Sequence, residues 1–257
     1  MDLIFSRGGA DVIDATFRRA RLSDADSMYE LSLPFMESGA LLVRDRELFV
    51  TQIEDFYVVE IDRTIAACAG IRRFSNNAEI FNVAVMQKWQ GLGLGRFLLA
   101  SIIGVLEAEG IGEVLLFSYT TIQWFERQGF VPMDPAGLPP ERLALIDPIR
   151  DSIPLSRATV GGADGLEVLA RMIDLRVRFD RSGIETTWDS SFDTLLKLAD
   201  HNGVEVDSLC WAGICGTCST RLRQGTISYH VAPEVGPEDG EVLLCIAQPL
   251  TDLELEL

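Results

Sequence analysis

Four of the five cysteines in this 257-residue chain fall in its last 48 residues, as Cys210-Trp-Ala-Gly-Ile-Cys215-Gly-Thr-Cys218 followed by Cys245. The spacing is C-x4-C-x2-C, with 26 residues before the fourth cysteine. In a reducing compartment such clustering points to a metal or redox centre instead of disulfides. A loop this compact must turn its amides inward while presenting three thiolates, and Gly213 and Gly216 let it close because they carry no Cβ. This is the plant-type arrangement for a [2Fe–2S] cluster, with Cys210, Cys215, Cys218 and Cys245 as the metal ligands. A four-cysteine zinc site is the alternative. Zinc ribbons, however, set their ligands as two C-x2-C knuckles, and Cys245 stands alone. A Rieske centre needs paired histidine ligands, and the only histidines, His201 and His230, lie in no such motif and read as surface groups.

Charge narrows the function further. Against 39 acidic residues there are 22 basic ones, a formal net charge of −17, which argues against a nucleic-acid binder or a protein of anionic membrane surfaces. Acidity is denser toward the C-terminus: residues 1–157 carry net −7 and the rest −10. The longest strongly apolar run, Phe97–Leu106, is too short to span a bilayer. The opening residues lack the basic-then-apolar order of a signal peptide, so a cytoplasmic protein is expected. The small, Gly-rich segment ATVGGADG (Ala158–Gly165) reads as a linker. The expected division is therefore residues 1–157, a linker over 158–173, and residues 174–257.

The first domain reads as alternating strand and helix. An edge strand is expected over Ala15–Arg21, then a helix toward Met36 with Ser23 as N-cap and Asp26 three residues on. Phe56–Ile61 and Thr64–Ile71 flank a turn at Asp62-Arg63 and predict a hairpin. Glu79–Met86 is a further strand. It feeds the segment Gln90-Gly91-Leu92-Gly93-Leu94-Gly95-Arg96 and a long apolar helix from Leu94 to Glu109. A strand passing through glycines into a helix N-terminus offers outward-facing amides and a dipole that suit a pyrophosphate. The order is not that of a dinucleotide-binding fold, because a hairpin precedes the glycines and no acidic strand end follows. Glu113–Ser118 reads as a buried strand, and TIQWFERQ as a short helix stopped by Gly129.

Gln90-x-x-Gly93-x-Gly95, then a buried strand, then WFERQGF, resembles the acetyl-CoA-binding core of the GNAT N-acetyltransferases. Together with LLVRDREL (Leu41–Leu48), EIFNVAV, TTIQWFERQGFVP and Arg150-Asp151-Ser152, it is similar to the acetyltransferase domain of N-acetylglutamate synthases over about residues 15–157. That resemblance implies an α/β GNAT fold, a mixed central sheet with helices. It implies acetyl-CoA bound by Val83, Ala84, Val85 and by Gln90, Gly91, Leu92, Gly93, Leu94, Gly95 and Arg96. It places Leu42, Arg44, Arg150 and Ser152 at the carboxylates of an amino-acid acceptor, where guanidinium forks suit a dicarboxylate. Glu79 falls on the family's general base, and amides along Val83–Val85 would polarise the thioester carbonyl. The short-helix position of the tyrosine acid is occupied by Phe125, which leaves Tyr119 as the second candidate. Cys68, in an apolar strand run, reads as a core residue.

Around the cysteines, LRVRF and IETTW predict one hairpin, FDTLLKLADHNG a helix, and STRLRQGTISY a second hairpin around Gly225. The segment resembles the ferredoxin module of oxygenase reductases and implies an α+β β-grasp fold with a [2Fe–2S] cluster. Those reductases also carry flavin and nicotinamide domains, and here the acetyltransferase-like domain stands in their place. Electrons would then come from a separate flavin-dependent reductase and pass to a separate redox acceptor protein. Two functions follow: an acetyl-CoA-dependent N-acetyltransferase for an acidic amino acid fused to an electron-transfer ferredoxin, or a ferredoxin carrier whose first domain is a degenerate docking module.

Overall fold

The first two strands, β1 (Asp2–Ser6) and β2 (Val12–Arg19), pair antiparallel with Asp2 opposite Thr16. The predicted strand is therefore not an edge, because β1 takes its outer hydrogen bonds. The computed structural model describes residues 2–6, 12–145, 151–159, 175–188 and 192–257. Most of the expected linker, 158–173, lies outside the described residues. The chain divides into two compact units: Phe17–Lys88 with Leu94–Met172, and Met1–Thr16 with Trp89–Gly93 and Ile173–Leu257.

In the first of these units, Ser23 does not cap the helix. A 3-10 turn, Leu22–Asp24, leads into α1 (Ala25–Glu37), and the residue before α1 is Asp24. The Asp24 carboxylate instead accepts from the Arg21 amide at 2.7 Å and from Arg18 Nη1 at 2.7 Å, charge-assisted partners that hold this turn. A short helix that the sequence reading did not mark, α2 (Arg46–Thr51), follows. Asp62 and Arg63 both adopt left-handed backbone (φ 48° and 61°), the geometry a two-residue hairpin requires. They fold β3 (Phe56–Ile61) onto β4 (Thr64–Arg73). Next come β5 (Asn77–Val85), α3 (Leu94–Ala108), β6 (Glu113–Ser118), α4 (Ile122–Glu126), β7 (Val131–Pro132), α5 (Pro140–Leu143) and β8 (Ile153–Ala158).

Strand order runs β2-β3-β4-β5-β6-β8-β7, and β5 and β6 are parallel, so the sheet is mixed. Helix α3 is apolar on nearly every side, as a helix enclosed by protein must be: Phe97, Leu98, Leu99, Ile102, Ile103 and Leu106 are all fully buried. Against the other helices, Met28, Phe49, Phe56, Cys68 and Phe81 form one apolar cluster.

In the second unit, β9 (Arg176–Phe179) and β10 (Ile184–Thr187) form the expected hairpin. Helix α6 (Leu195–His201) starts where the Thr194 hydroxyl accepts from the Lys197 amide. Strands β11 (Ser219–Gln224), β12 (Ile227–Tyr229), β13 (Glu241–Leu243), β14 (Ala247–Pro249) and β15 (Leu253–Leu255) complete the unit. A five-stranded mixed sheet has the order β10-β9-β15-β11-β13, with β9 and β15 parallel. Leu195 and Leu198 of α6 join Val177, Phe179 and Leu253 in its core.

The second predicted hairpin does not form. β11 pairs with β13 and β15, whereas β12 pairs with β14 and β1. At Gly225 the backbone is left-handed (φ 102°), and an added Cβ would lie 2.2 Å from the Asp252 carbonyl oxygen. The chain bends away there because β15 occupies the position a returning strand would need.

Candidate functional site

β5 and β6 hydrogen-bond in parallel only over Asn77–Glu79 against Glu113–Leu115. β5 then runs on to Val85, while the rest of β6 stays paired with β8. Past Glu79 the two strands have parted, and Val83, Ala84 and Val85 lie on the diverged stretch. The opposite side of β5 is irregular too: the β4–β5 register slips between Cys68 opposite Ala84 and Gly70 opposite Phe81. At the slip Asn82 takes a left-handed backbone (φ 54°), a strained conformation that Asn tolerates better than most residues. Its side chain is buried and donates from Nδ2 to Ser32 Oγ at 2.9 Å. Phe81 lies flat over Gly70, where a Cβ would fall 2.4 Å from its ring.

Arginines gather on this face of the sheet. The Arg44 and Arg72 guanidinium carbons sit 4.8 and 5.3 Å from the Phe81 ring centroid. Arg72 stands directly opposite Glu79 across the β4–β5 ladder. Glu79 is only 4 % exposed. It accepts from Arg142 Nε at 2.7 Å and Nη2 at 3.1 Å, and from Arg72 Nη1 at 3.3 Å. Arg142, from α5, is itself 7 % exposed, and its guanidinium carbon lies 3.9 Å from the Phe117 ring centroid. Glu79 therefore does not stand in the site as an unengaged carboxylate.

Of the other expected acceptor residues, Leu42 is exposed, Arg44 and Ser152 are half-buried, and Arg150 lies outside the described residues. Sequence reasoning missed Arg72, Phe81, Asn82 and Arg142. Arg72 had a signal, since a β4–β5 hairpin turning near Asn76 sets it across from Glu79. Arg142 had none.

Tyr119 is 55 % exposed, while Phe125 is buried against Trp124 and Phe130. In the glycine segment, Gly91 and Gly93 take φ of 75° and 80°, values that only glycine adopts without strain, and α3 begins at Leu94. A Cβ on Gly95 would lie 3.3 Å from the Trp124 ring, so this glycine serves close packing. Arg96 Nε donates to Gln128 Oε1 at 3.0 Å, and Gln128 Nε2 donates to the Trp124 carbonyl at 3.2 Å. Leu92 and Leu94 are buried, and Gln90 is half-buried. Cys68 is fully buried, and burial pushes its thiol up to about 12, as suits an inert core residue.

The cysteine loop stands by itself in the other unit. The Cys215 thiol lies beside Cys210, and the Cys218 thiol beside Cys245, so the four sulfurs fall into two pairs. Backbone amides converge on them. Gly213 donates to Cys245 Sγ at 3.3 Å, Ile214 and Cys215 to Cys210 Sγ at 3.4 Å, and Cys245 to Cys218 Sγ at 3.4 Å. The Ala212 amide leads these neighbours in holding the Cys210 thiol down, to about 6; burial, foremost, raises Cys245 to about 12. Trp211 and Gly213 both adopt left-handed backbone (φ 57° and 72°) to aim these amides inward, and a Cβ on Gly213 would meet Ile246 at 2.7 Å. Two thiol pairs amid inward-facing amides fit a two-iron cluster, with two thiolates for each iron. Cys218 and Cys245 are buried and Cys215 is exposed, which leaves one side of the site open to solvent. His201 and His230 are both exposed. No helix among the described residues is long and apolar enough to cross a membrane.

Residues 52–132 match the acetyltransferase (GNAT) domain family, and residues 177–250 match the 2Fe-2S iron-sulfur cluster binding domain family. An amino-acid acetyltransferase of Escherichia coli (strain K12) is 30% identical over 156 residues, covering 58% of this chain and 35% of that protein. Its counterpart in Pseudomonas fluorescens is 32% identical, with 58% and 36% covered. The chain thus spans about a third of the length of these relatives. Among solved structures, the N-acetylglutamate synthase of Neisseria gonorrhoeae complexed with coenzyme A and N-acetyl-glutamate is similar. Its TM-score is 0.55 at 31% identity, covering 56% of this chain and 35% of that one.

Proposed function

For a chain that joins an acetyltransferase (GNAT) domain to a 2Fe-2S cluster binding domain, we propose an acetyl-CoA-dependent N-acetyltransferase acting on an acidic amino acid such as glutamate. The observation that carries this reading is the set of guanidiniums, Arg44, Arg72 and Arg142, placed around Phe81 and Glu79 where β5 leaves β6. A dicarboxylate acceptor needs such fixed cations. The domain boundaries are proposed as 1–157 and 174–257, in the cytoplasm.

In the reaction the neutral amine of the acceptor attacks the thioester carbonyl. A C–N bond forms, the amine loses a proton, and the C–S bond breaks as the departing thiolate gains one. Main-chain amides of Val83–Val85 face the developing oxyanion, where preorganised donors count most. The turn Gln90–Arg96 receives the pyrophosphate at the start of α3. Leu42, Arg44, Arg150 and Ser152 hold the acceptor's carboxylates. Tyr119 is the proposed proton source for the thiolate, since Phe125 has no proton to give. The bound cluster supplies one-electron transfer, with its electrons from a separate flavin-dependent reductase and its acceptor a separate redox protein.

Release of free coenzyme A thiol, assayed across the amino acids with cluster-replete protein, tests the reading. Turnover with glutamate or aspartate well above the neutral residues is expected; turnover with none rejects it. A second reading, a ferredoxin carrier with a catalytically silent first domain, draws on Phe125 and on the engagement of Glu79 by two arginines. It predicts cluster reduction by a reductase with no acyl transfer.

A further inference from the structure

We propose that Arg142 is an acceptor-binding residue, and that Glu79 works as the positioning residue that aims Arg142 and Arg72 at a carboxylate of the acidic acceptor. The inference rests on the acetyltransferase reading and deepens it.

Three observations carry it. First, the side edge of the Arg142 guanidinium, Nε and Nη2, is spent on Glu79, whereas Nη1 is buried and has no hydrogen-bond partner among the described residues. A buried cationic donor without a partner costs several kcal/mol, of order 1–3 even for a neutral group. Such a cost is sustained where a ligand completes the bond. The end edge, Nη1 with the outer N–H of Nη2, is the geometry that grips a carboxylate with two parallel bonds.

Second, the plane cannot turn away. Phe117 lies 3.9 Å from its guanidinium carbon, and two bonds to Glu79 fix its rotation.

Third, the charges do not balance. Glu79 answers two guanidiniums, and Arg44 adds a third across Phe81, so the face carries excess positive charge. Three of the four lone-pair directions of Glu79 are taken by guanidinium N–H groups. That occupancy suits a group that orients cations and leaves little of it to receive an amine proton.

The test uses full-length, cluster-replete protein and calorimetric binding of L-glutamate and L-glutamine, with acetyl-CoA titrated separately. R142Q should weaken glutamate by about tenfold or more, narrow the glutamate-over-glutamine preference, and leave acetyl-CoA unchanged. R142K, which keeps the charge but not the fork, should recover part of the loss. Because R142Q strands Glu79, the double variant E79Q/R142Q serves as a folded control and should show the same loss. E79Q alone should raise the KM for glutamate more than it lowers kcat. Glutamate binding by wild type that R142Q and the double variant leave intact overturns the inference while sparing the acetyltransferase reading. An E79Q variant that binds glutamate normally but has lost kcat makes Glu79 the base and also overturns it. Wild type that binds no acidic amino acid rejects the underlying reading itself.

Discussion

Arg72 on β4 stands directly opposite Glu79 on β5, and its Nη1 donates to Oε2 of Glu79 at 3.3 Å. The pair joins two strands at the last rung before β5 separates from β6, so the carboxylate anchoring the arginines also marks where the cleft begins. A cross-strand charge pair is ordinarily a modest contribution to a sheet. Here Arg142 approaches the same carboxylate from α5, and the pair becomes the base of a cationic face.

Gly70→Ala should destabilise the acetyltransferase domain by about 1–3 kcal/mol, the usual cost of forcing an atom into a packed core. The new Cβ would stand 2.4 Å from the Phe81 ring, which must move and carry its contacts with Arg44 and Arg72. Urea unfolding followed by tryptophan fluorescence reads the change. Unaltered stability would show that the ring shifts at no cost.

Single replacement of Cys210, Cys215, Cys218 or Cys245 by Ser should abolish the visible absorption of the cluster. Cys68→Ala should leave it intact, since that thiol is buried in the other unit. Native protein should also resist alkylation at Cys68 at pH 8, where its thiol stays protonated, and react once unfolded. Iron analysis and mass spectrometry check both. A coloured Cys215→Ser protein with full iron would contradict the ligand assignment.

Burial opposes ionisation of Asp24, but the Arg18 guanidinium and the Arg21 amide outweigh it and hold the carboxyl below its usual value. A depressed carboxylate contributes stability that is complete above its unfolded pKa, near about 3.9, and is lost as the pH falls through its folded value. Asp24→Asn should therefore be less stable than wild type at pH 7, with the gap closing toward pH 2. A gap independent of pH, measured by denaturant unfolding, would mean that the loss is steric.

Residues 158–257 carry net −10, so reduction by a partner whose redox centre is ringed with Arg or Lys should slow as ionic strength rises. Stopped-flow reduction across a salt series measures this. A rate indifferent to salt would leave acidity with no part in docking.

The cluster loop and the elements from β3 to β6 were legible because each depends on neighbours in the chain. Cysteine spacing, a turn pair, an apolar run and a glycine-rich segment are local patterns, and a strand or ligand loop is a local object. The strand boundaries read from Phe56–Ile61 and Glu113–Ser118 coincide with the observed ones. Where geometry hung on a distant segment, local pattern misled. Ser23 was a plausible cap until Asp24 found Arg18, and the hairpin around Gly225 was plausible until β15 took its place.

The sequence alone therefore determined the kind of cofactor this chain can hold and the family of its first domain, because both reside in short motifs whose chemistry needs fixed spacing. Tertiary structure decided the state of Glu79. Its main partner, Arg142, lies 63 residues away on a four-residue helix. No period or motif encodes that meeting; only the path of the chain across β6 and Phe117 brings the two buried charges together.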